Sequence, residues 1–330
     1  MNLRSLTGWH LSGLRKAALG MALVLALVTT PRAQAGLVIT PTFTANFVTN
    51  FGANAVAAEN AWIAAANVFE SNFTDNIHIN IRVDAVAGTG VFGQSNTFLV
   101  STPYANLRAA VVADAKTPDD FTAIGGGGSV SAVDPVAGAH TWWLTTSQAK
   151  ALGVIADNLN NDGTTTFGAG NPFTFSGPIA PGTFDFEGVA AHEISEVMGR
   201  LGISGGTIGN SPNSYSLIDL FSYTGAGARG LTPGAGENFS IDNGTTLLKL
   251  YNNPLINHLD SRDWAPGTND SFNQFSFPDV VNAVSDVDLR EMDVIGYDRA
   301  LAVATPEPAS LTLLGLGVAS LAGYGWRRRS

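Results

Sequence analysis

Hydrophobic and polar residues alternate strictly over Ile77–Val83, which is the period-two pattern of a half-buried strand. His78 therefore falls on the polar face of that strand. An alanine-rich stretch over 54–70 predicts a helix. Other patterns predict a helix over 104–116, a strand over His140–Thr146, and a turn at Asp162–Gly163 leading into a strand over 164–167. We therefore predict a single domain of mixed α+β class over residues 36–304.

The first 35 residues follow the pattern of a secretory signal peptide. Basic residues (Arg4, Arg15 and Lys16) precede the apolar run Ala17–Val28, and Ala33-Gln34-Ala35 provides a small-x-small cleavage site. The apolar run is short for a membrane span. We expect export through the inner membrane, with cleavage after Ala35.

The last 26 residues, 305–330, form a second targeting segment. Thr305–Ser310 is followed by the apolar stretch Leu311–Trp326 and then by three arginines. This order predicts a hydrophobic anchor helix with a cytoplasmic stop. The segment resembles the PEP-CTERM sorting signal, with Pro306-Glu307-Pro308 as the motif. The resemblance implies an exosortase-type sorting enzyme as a partner, membrane contact until processing, and delivery to the cell surface or extracellular matrix of a Gram-negative bacterium.

Composition restricts the chemistry of the central domain. Residues 36–304 contain 26 acidic residues against ten basic ones, a net charge of -16. Nucleic-acid binding needs basic patches, so this charge argues against it and favours cations as partners. The chain has no cysteine, which excludes thiol nucleophiles and thiolate metal ligands. Any metal must bind to His, Asp or Glu.

One predicted helix carries the candidate chemistry. Asp185 stands at its N-cap position and Gly199 at its end. His192 and Glu196 are four residues apart, so they share a helix face and can bind one ion. Glu193 is one residue further round the helix, where it can reach water activated by the metal. Ligands at i and i+4 with a general base at i+1 are the arrangement of zinc hydrolases.

Residues 55–300 resemble a bacterial metzincin-like metalloprotease family. The resemblance is carried by six segments: Asp75–Val83, Asp162–Phe167, Phe184–Arg200, Ile218–Phe221, Phe239–Asp242 and Met292–Tyr297. The wider metzincin motif is H-E-x-x-H-x-x-G-x-x-H. His192, Glu193 and Gly199 match it, whereas Glu196 and Gly202 occupy the positions of the second and third histidines. The resemblance implies a metzincin-like zinc peptidase domain with a mixed sheet, an active-site helix and one Zn²⁺ ion.

A third metal ligand must come from downstream of the helix, because Gly202 has no side chain. Asp219 is the first choice, since it is a lone acid in the apolar, strand-like run Tyr215–Tyr223 and burying an uncompensated carboxylate is costly. The alternative is that Asp219 caps a turn or accepts backbone hydrogen bonds. His258 is the second choice. One histidine with two carboxylates is a harder ligand set than three histidines, so manganese or calcium could also bind.

Two functions remain open at this stage. The first is a secreted or surface-sorted zinc-dependent endopeptidase acting on protein or peptide substrates, with His192, Glu196 and Asp219 as ligands and Glu193 as the catalytic base. The second is a non-catalytic cell-surface or exopolysaccharide-matrix protein that retains the protease fold. Metal analysis distinguishes them.

Overall fold

A computed structural model describes residues 36–258, 260–267 and 269–300. Within these ranges the protein is a mixed α+β structure with several sheets, which confirms the predicted fold class. The predicted signal peptide and the predicted anchor helix lie outside the described residues. No helix in the described ranges is long and apolar enough to cross a membrane.

Helices and strands alternate along the described chain. The helices are α1 (Ala45–Phe51), α2 (Ala55–Asn72), α3 (Tyr104–Asp114), α4 (Pro118–Ile124), α5 (Thr146–Ala151), α6 (Phe186–Val197), α7 (Pro254–Asn257) and α8 (Asp286–Val294), with 3₁₀ turns at Gly52–Asn54 and Leu217–Phe221. The strands are β1 (Val38–Phe43), β2 (His78–Val86), β3 (Gly93–Thr97), β4 (Leu99–Thr102), β5 (Thr141–Thr145), β6 (Asn161–Gly168), β7 (Phe173–Thr174), β8 (Phe184–Asp185), β9 (Gly206–Ile208), β10 (Ser211–Ser216), β11 (Ser222–Gly225), β12 (Ala228–Arg229), β13 (Asn238–Phe239) and β14 (Lys249–Leu250).

The first sheet has the order β1-β2-β6-β3. Its first three strands are parallel, and β3 runs antiparallel to β6 at the edge. A second sheet, β4-β5-β10-β9, pairs β5 with β10 in parallel, while a third, β12-β11-β13-β14, is antiparallel. The short strand β8, which directly precedes α6, pairs in parallel with β7.

The predicted strand and the predicted alanine-rich helix are both confirmed. In β2 the residues Ile79, Ile81 and Val83 are buried and alternate with more exposed neighbours. Helix α2 packs against this sheet and against α6, and its Trp62 Nε1 donates to Thr165 Oγ1 of β6 at 3.1 Å. The sheet and these two helices therefore form the core that supports the candidate site.

The predicted turn at Asp162–Gly163 is wrong, because both residues lie inside β6. The Asp162 carboxylate is buried and accepts a hydrogen bond from the buried Lys150 Nζ at 2.7 Å. Gly163 packs against the Asn96 carbonyl and Val197, where a side chain would not fit. Long-range contacts therefore override a sequence pattern that is typical of a turn.

Five phenylalanines fix the start of α6. Phe186, the first residue of the helix, lies with its ring centroid 4.8 to 5.7 Å from four other rings, those of Phe51, Phe167, Phe173 and Phe175. Aromatic pairs at these spacings stabilise beyond their buried area. The helix that carries the candidate residues is therefore anchored at its first turn.

Candidate metal centre

Helix α6 begins and ends where its sequence predicts. The Asp185 side chain accepts a hydrogen bond from the Glu187 amide at 3.1 Å, and Gly199 follows the helix with a φ of 120°. The helix is buried on nearly every side: Glu187 and His192 are its two half-buried residues, and its other residues are buried. Its polar side chains must therefore find partners within the protein.

Three side chains converge beside this helix: His192, Glu196 and Asp263. Each offers one ligand atom, and the three atoms lie within 4.8 Å of one another. His192 Nε2 is 3.4 Å from Glu196 Oε1 and 3.5 Å from Asp263 Oδ1. An imidazole nitrogen and two carboxylate oxygens at these separations can bind one divalent cation.

The orientation of His192 is fixed by the main chain. Its Nδ1 lies 2.9 Å from the carbonyl oxygen of Ser271. A carbonyl oxygen can only accept, so Nδ1 carries the hydrogen and Nε2 is the atom directed at the two carboxylates. Histidines that bind metals are oriented by this kind of outer hydrogen bond.

The two carboxylates are also held by outer partners. Ser95 Oγ of β3 donates to Glu196 Oε2 at 2.7 Å. The buried Arg200 donates from Nη1 to Asp263 Oδ1 at 2.5 Å, and its Nη2 lies 3.8 Å from Glu196 Oε1. The guanidinium packs over the Phe272 ring, 4.5 Å from the centroid. Arg200 therefore connects α6 to the segment that supplies Asp263.

The charges of these residues shift one another's pKa values. Burial and Arg200 lower the pKa of His192, but Asp263 and Glu196 outweigh them and raise it to about 10. Burial raises the pKa of Glu196, but the hydrogen bond from His192 and the charges of His192 and Arg200 lower it to about 2. The two carboxylates thus create a negative potential at His192 that favours a positive charge there.

Glu193 lies next to this group and is buried, with 5% of its surface exposed. Its Oε2 has no hydrogen-bond partner among the described residues. Burial, followed by the charge of Glu196, raises its pKa well above the usual value. A Cβ atom on Gly93 of β3 would collide with Oε1 of Glu193, so glycine leaves room for this carboxyl group.

A cavity of about 570 Å³ opens onto these side chains. It is lined by residues of β3, by α6 and by the segment from His258 to Ser276. No lysine or arginine in the described part of the chain lines the cavity. Four residues with carboxylates do: Glu193, Glu196, Asp260 and Asp263. The cavity is large enough for a segment of a small-molecule or peptide ligand.

Asp219 does not join His192 and Glu196, and this sequence-based expectation is corrected. The fully buried Asp219 lies in the 3₁₀ turn Leu217–Phe221, not in a strand, and forms a capping box with Ser216. It also accepts from the Ser204 amide at 2.8 Å and from Arg262 Nε at 3.1 Å. Asp219 therefore caps a turn and accepts backbone hydrogen bonds, as the alternative interpretation of the sequence predicts.

His258 lines the cavity but is not one of the three converging side chains. It is exposed and ends α7 in a left-handed backbone conformation, with a φ of 62°. Gly202 occupies the position of the third metzincin histidine, and the space beside it is taken by another side chain. A Cβ atom there would collide with the Arg262 side chain.

Sequence reasoning missed Asp263, Arg200, Ser95 and Asp260. Asp263 is 67 residues beyond Glu196 in the chain, and its only local signal is an acid between an arginine and a tryptophan. Arg200 follows Glu196 by four residues, so the i,i+4 spacing was a usable signal. Ser95 and Asp260 have no comparable signal.

Comparison with known proteins identifies only the tail. The PEP-CTERM protein-sorting motif matches residues 304–329. No curated protein and no solved structure matches the chain. The motif implies an exported protein that is sorted to the cell envelope of a Gram-negative bacterium by an exosortase-type enzyme. The comparisons give no support for the metzincin-like family, which stays a hypothesis.

Proposed function

We propose that the protein is an exported, metal-dependent endopeptidase in which His192, Glu196 and Asp263 hold one divalent cation, with zinc as the first candidate. The convergence of three ligand atoms within 4.8 Å carries the proposal. The donor set fits such an ion, since one imidazole and two carboxylates supply nitrogen and oxygen ligands. A second supporting observation is that Oε2 of the buried Glu193 has no hydrogen-bond partner in the described part of the chain.

A divalent cation, when bound, supplies Lewis acidity that polarises a carbonyl group and makes water more acidic. The protein's own residues would do the rest. The Ser271 carbonyl directs Nε2 of His192, and Ser95 and Arg200 hold the two carboxylates. Glu193 would take a proton from the attacking water and transfer it to the leaving amine. A nearby cation would oppose the upward pKa shift of Glu193 and favour its basic form.

Metal analysis tests the metal site. After incubation with zinc and dialysis, the purified protein should hold about one zinc ion per chain. His192→Ala and Asp263→Asn should lose it, because each removes one ligand. His78→Ala is the matched control. His78 is the first residue of β2, pairs with Asp157 and does not line the cavity. Its zinc content should equal that of the parent.

Peptidase activity tests the catalytic assignment. Glu193→Gln should retain zinc and lose casein cleavage by about 100-fold or more, because an amide cannot take a proton from water. Equal rates for variant and parent would refute Glu193 as the base. A protein without bound metal would instead favour the non-catalytic alternative, a surface or exopolysaccharide-matrix protein.

A further inference from the structure

One carboxylate that lines the cavity, that of Asp260, has no role in the proposed metal site. Glu196 and Asp263 face His192, and Glu193 is the proposed base. Asp260 lines the same cavity, yet its carboxylate has no hydrogen bond or ion pair with any residue in the described ranges. Only its main-chain carbonyl is engaged, by Asn252 Nδ2 at 2.9 Å.

The position of Asp260 separates it from the three converging side chains. It is not a member of that group, and the residue is exposed, whereas Glu196 and Asp263 are buried. The segment from Ser261 to Asp263 continues inward from Asp260 to the candidate ligand. Asp260 therefore stands on the accessible wall of the cavity, close to the site at which a bound substrate would react.

Electrostatics make this position attractive to a cation. The residue is exposed as a whole, but its carboxyl is partly screened from water. This screening and the charges of Glu196 and Asp263 outweigh the opposing charges of Arg200 and His192 and raise the pKa of Asp260 to about 7. A carboxylate beside like charges is stabilised by an arriving positive group. No lysine or arginine in the described part of the chain lines the cavity to provide that group.

We propose that Asp260 is a specificity-determining residue that binds an ammonium or guanidinium group of the substrate. This inference rests on the proposed function and names its substrate class, a peptide with a positive charge near the bond to be cleaved. The positive charge has two sources, a lysine or arginine side chain or a free N-terminal amine. Both offer the same hydrogen-bond donors to a carboxylate.

The test uses the zinc-loaded full-length protein and synthetic peptides that differ at one position. That position holds lysine, norleucine or glutamate, and each peptide has a free or an acetylated N-terminus. We expect kcat/KM for a cationic peptide to exceed that for its neutral partner by roughly fivefold, as for a partly exposed ion pair. A lysine preference assigns the side chain, and a preference for the free N-terminus assigns the amine.

Variants at position 260 decide whether the preference arises there. Asp260→Asn should remove the preference, so that kcat/KM for each cationic peptide falls to the value for its neutral partner. Asp260→Glu should retain the preference. Glu59→Gln on α2 is the matched control, because it removes an acid that does not line the cavity. The proposal is overturned by an unchanged preference in Asp260→Asn, by no preference in the parent, or by loss of zinc in Asp260→Asn.

Peptide binding separates this proposal from the proposed function. The Kd values of the same peptides are measured by fluorescence anisotropy with Glu193→Gln and with the parent. If the parent cleaves no peptide, the endopeptidase assignment fails. A cationic preference in Kd that Asp260→Asn abolishes would still support Asp260 as the binding residue, and its absence would refute it.

Discussion

Asp219 and Arg262 form a buried ion pair, with Arg262 Nε donating to Asp219 Oδ1 at 3.1 Å. Arg262 also donates to Glu237 Oε2 at 2.7 Å. The next residue in the chain is Asp263, the candidate ligand. Asp219 therefore supports the segment that delivers Asp263, and Arg262 compensates its buried charge.

This relationship gives opposite expectations for two aspartates. Asp219→Asn should lower the free energy of unfolding by about 3 kcal/mol, because Arg262 loses a charged partner inside the protein. The variant that remains folded should still bind zinc. Asp263→Asn should lose zinc.

Urea denaturation and metal analysis of the folded fraction measure the two effects. Normal stability with no zinc in Asp219→Asn would instead identify Asp219 as a ligand.

Gly93 provides a second prediction about the cavity. Gly93→Ala should displace the Glu193 carboxyl, because the added Cβ collides with Oε1 and contacts Val189. We expect peptidase activity to fall by about tenfold or more, since misplacing a catalytic group by about 1 Å can cost about 100-fold. Zinc content should not change.

Gly90→Ala is the matched control for Gly93→Ala. A Cβ on Gly90 meets no heavy atom within 4 Å. Its activity should equal that of the parent, and equal losses in both variants would contradict the role given to Gly93.

How far the sequence predicts this site depends on the distance over which each signal acts. His192, Glu193 and Glu196 are recognisable because one helix spacing and one N-cap determine their arrangement. Asp263 is not recognisable in this way, because it lies in a segment with little regular structure. Its position depends on the distant Arg200 and on the contacts of its neighbour Arg262. The surroundings of Asp219 do not follow from local sequence for the same reason, since its compensating arginine is 43 residues away.

The fold shows the same division. Strand β2 and helix α2 follow from local periodicity alone. Asp162–Gly163 has the composition of a turn, yet it pairs within β6 because the buried Lys150 binds the Asp162 carboxylate. No local pattern contains that interaction.

A buried acid outside the cavity predicts how stability depends on pH. Burial, followed by the charge of Asp298, raises the pKa of Asp75 to about 7. The folded state therefore holds this proton more tightly than the unfolded chain, for which the pKa is 3.8. The sign follows from linkage: the free energy of unfolding decreases as pH rises from about 4 to about 7.

Asp75→Asn should remove this loss. The Asn side chain can still accept the hydrogen bond that Asp75 Oδ2 accepts from the Asp298 amide at 2.9 Å. We expect the variant to exceed the parent by about 2 kcal/mol at pH 8 and by less at pH 5. Urea denaturation at both pH values measures the difference, and an equal difference at both would exclude titration of Asp75 as the cause.

The tail gives a prediction that is independent of the metal site. Replacing Pro306, Glu307 and Pro308 by alanines should prevent surface delivery in the host, because the sorting motif spans residues 304–329. Zinc content and casein cleavage of the purified variant should match the parent. Cell fractionation and immunoblotting measure delivery, and normal delivery of the altered chain would refute the sorting role.

The proposed ligands come from two distant parts of a chain that has no cysteine. Seventy residues separate His192 from Asp263. An ion bound by both residues would close that loop as a disulfide does. It would reduce the conformational entropy of the unfolded chain only if it also stayed bound in the unfolded state. Bound in the folded state alone, it stabilises by mass action. For a protein exported without disulfides, the metal concentration outside the cell would then set part of the free energy of unfolding.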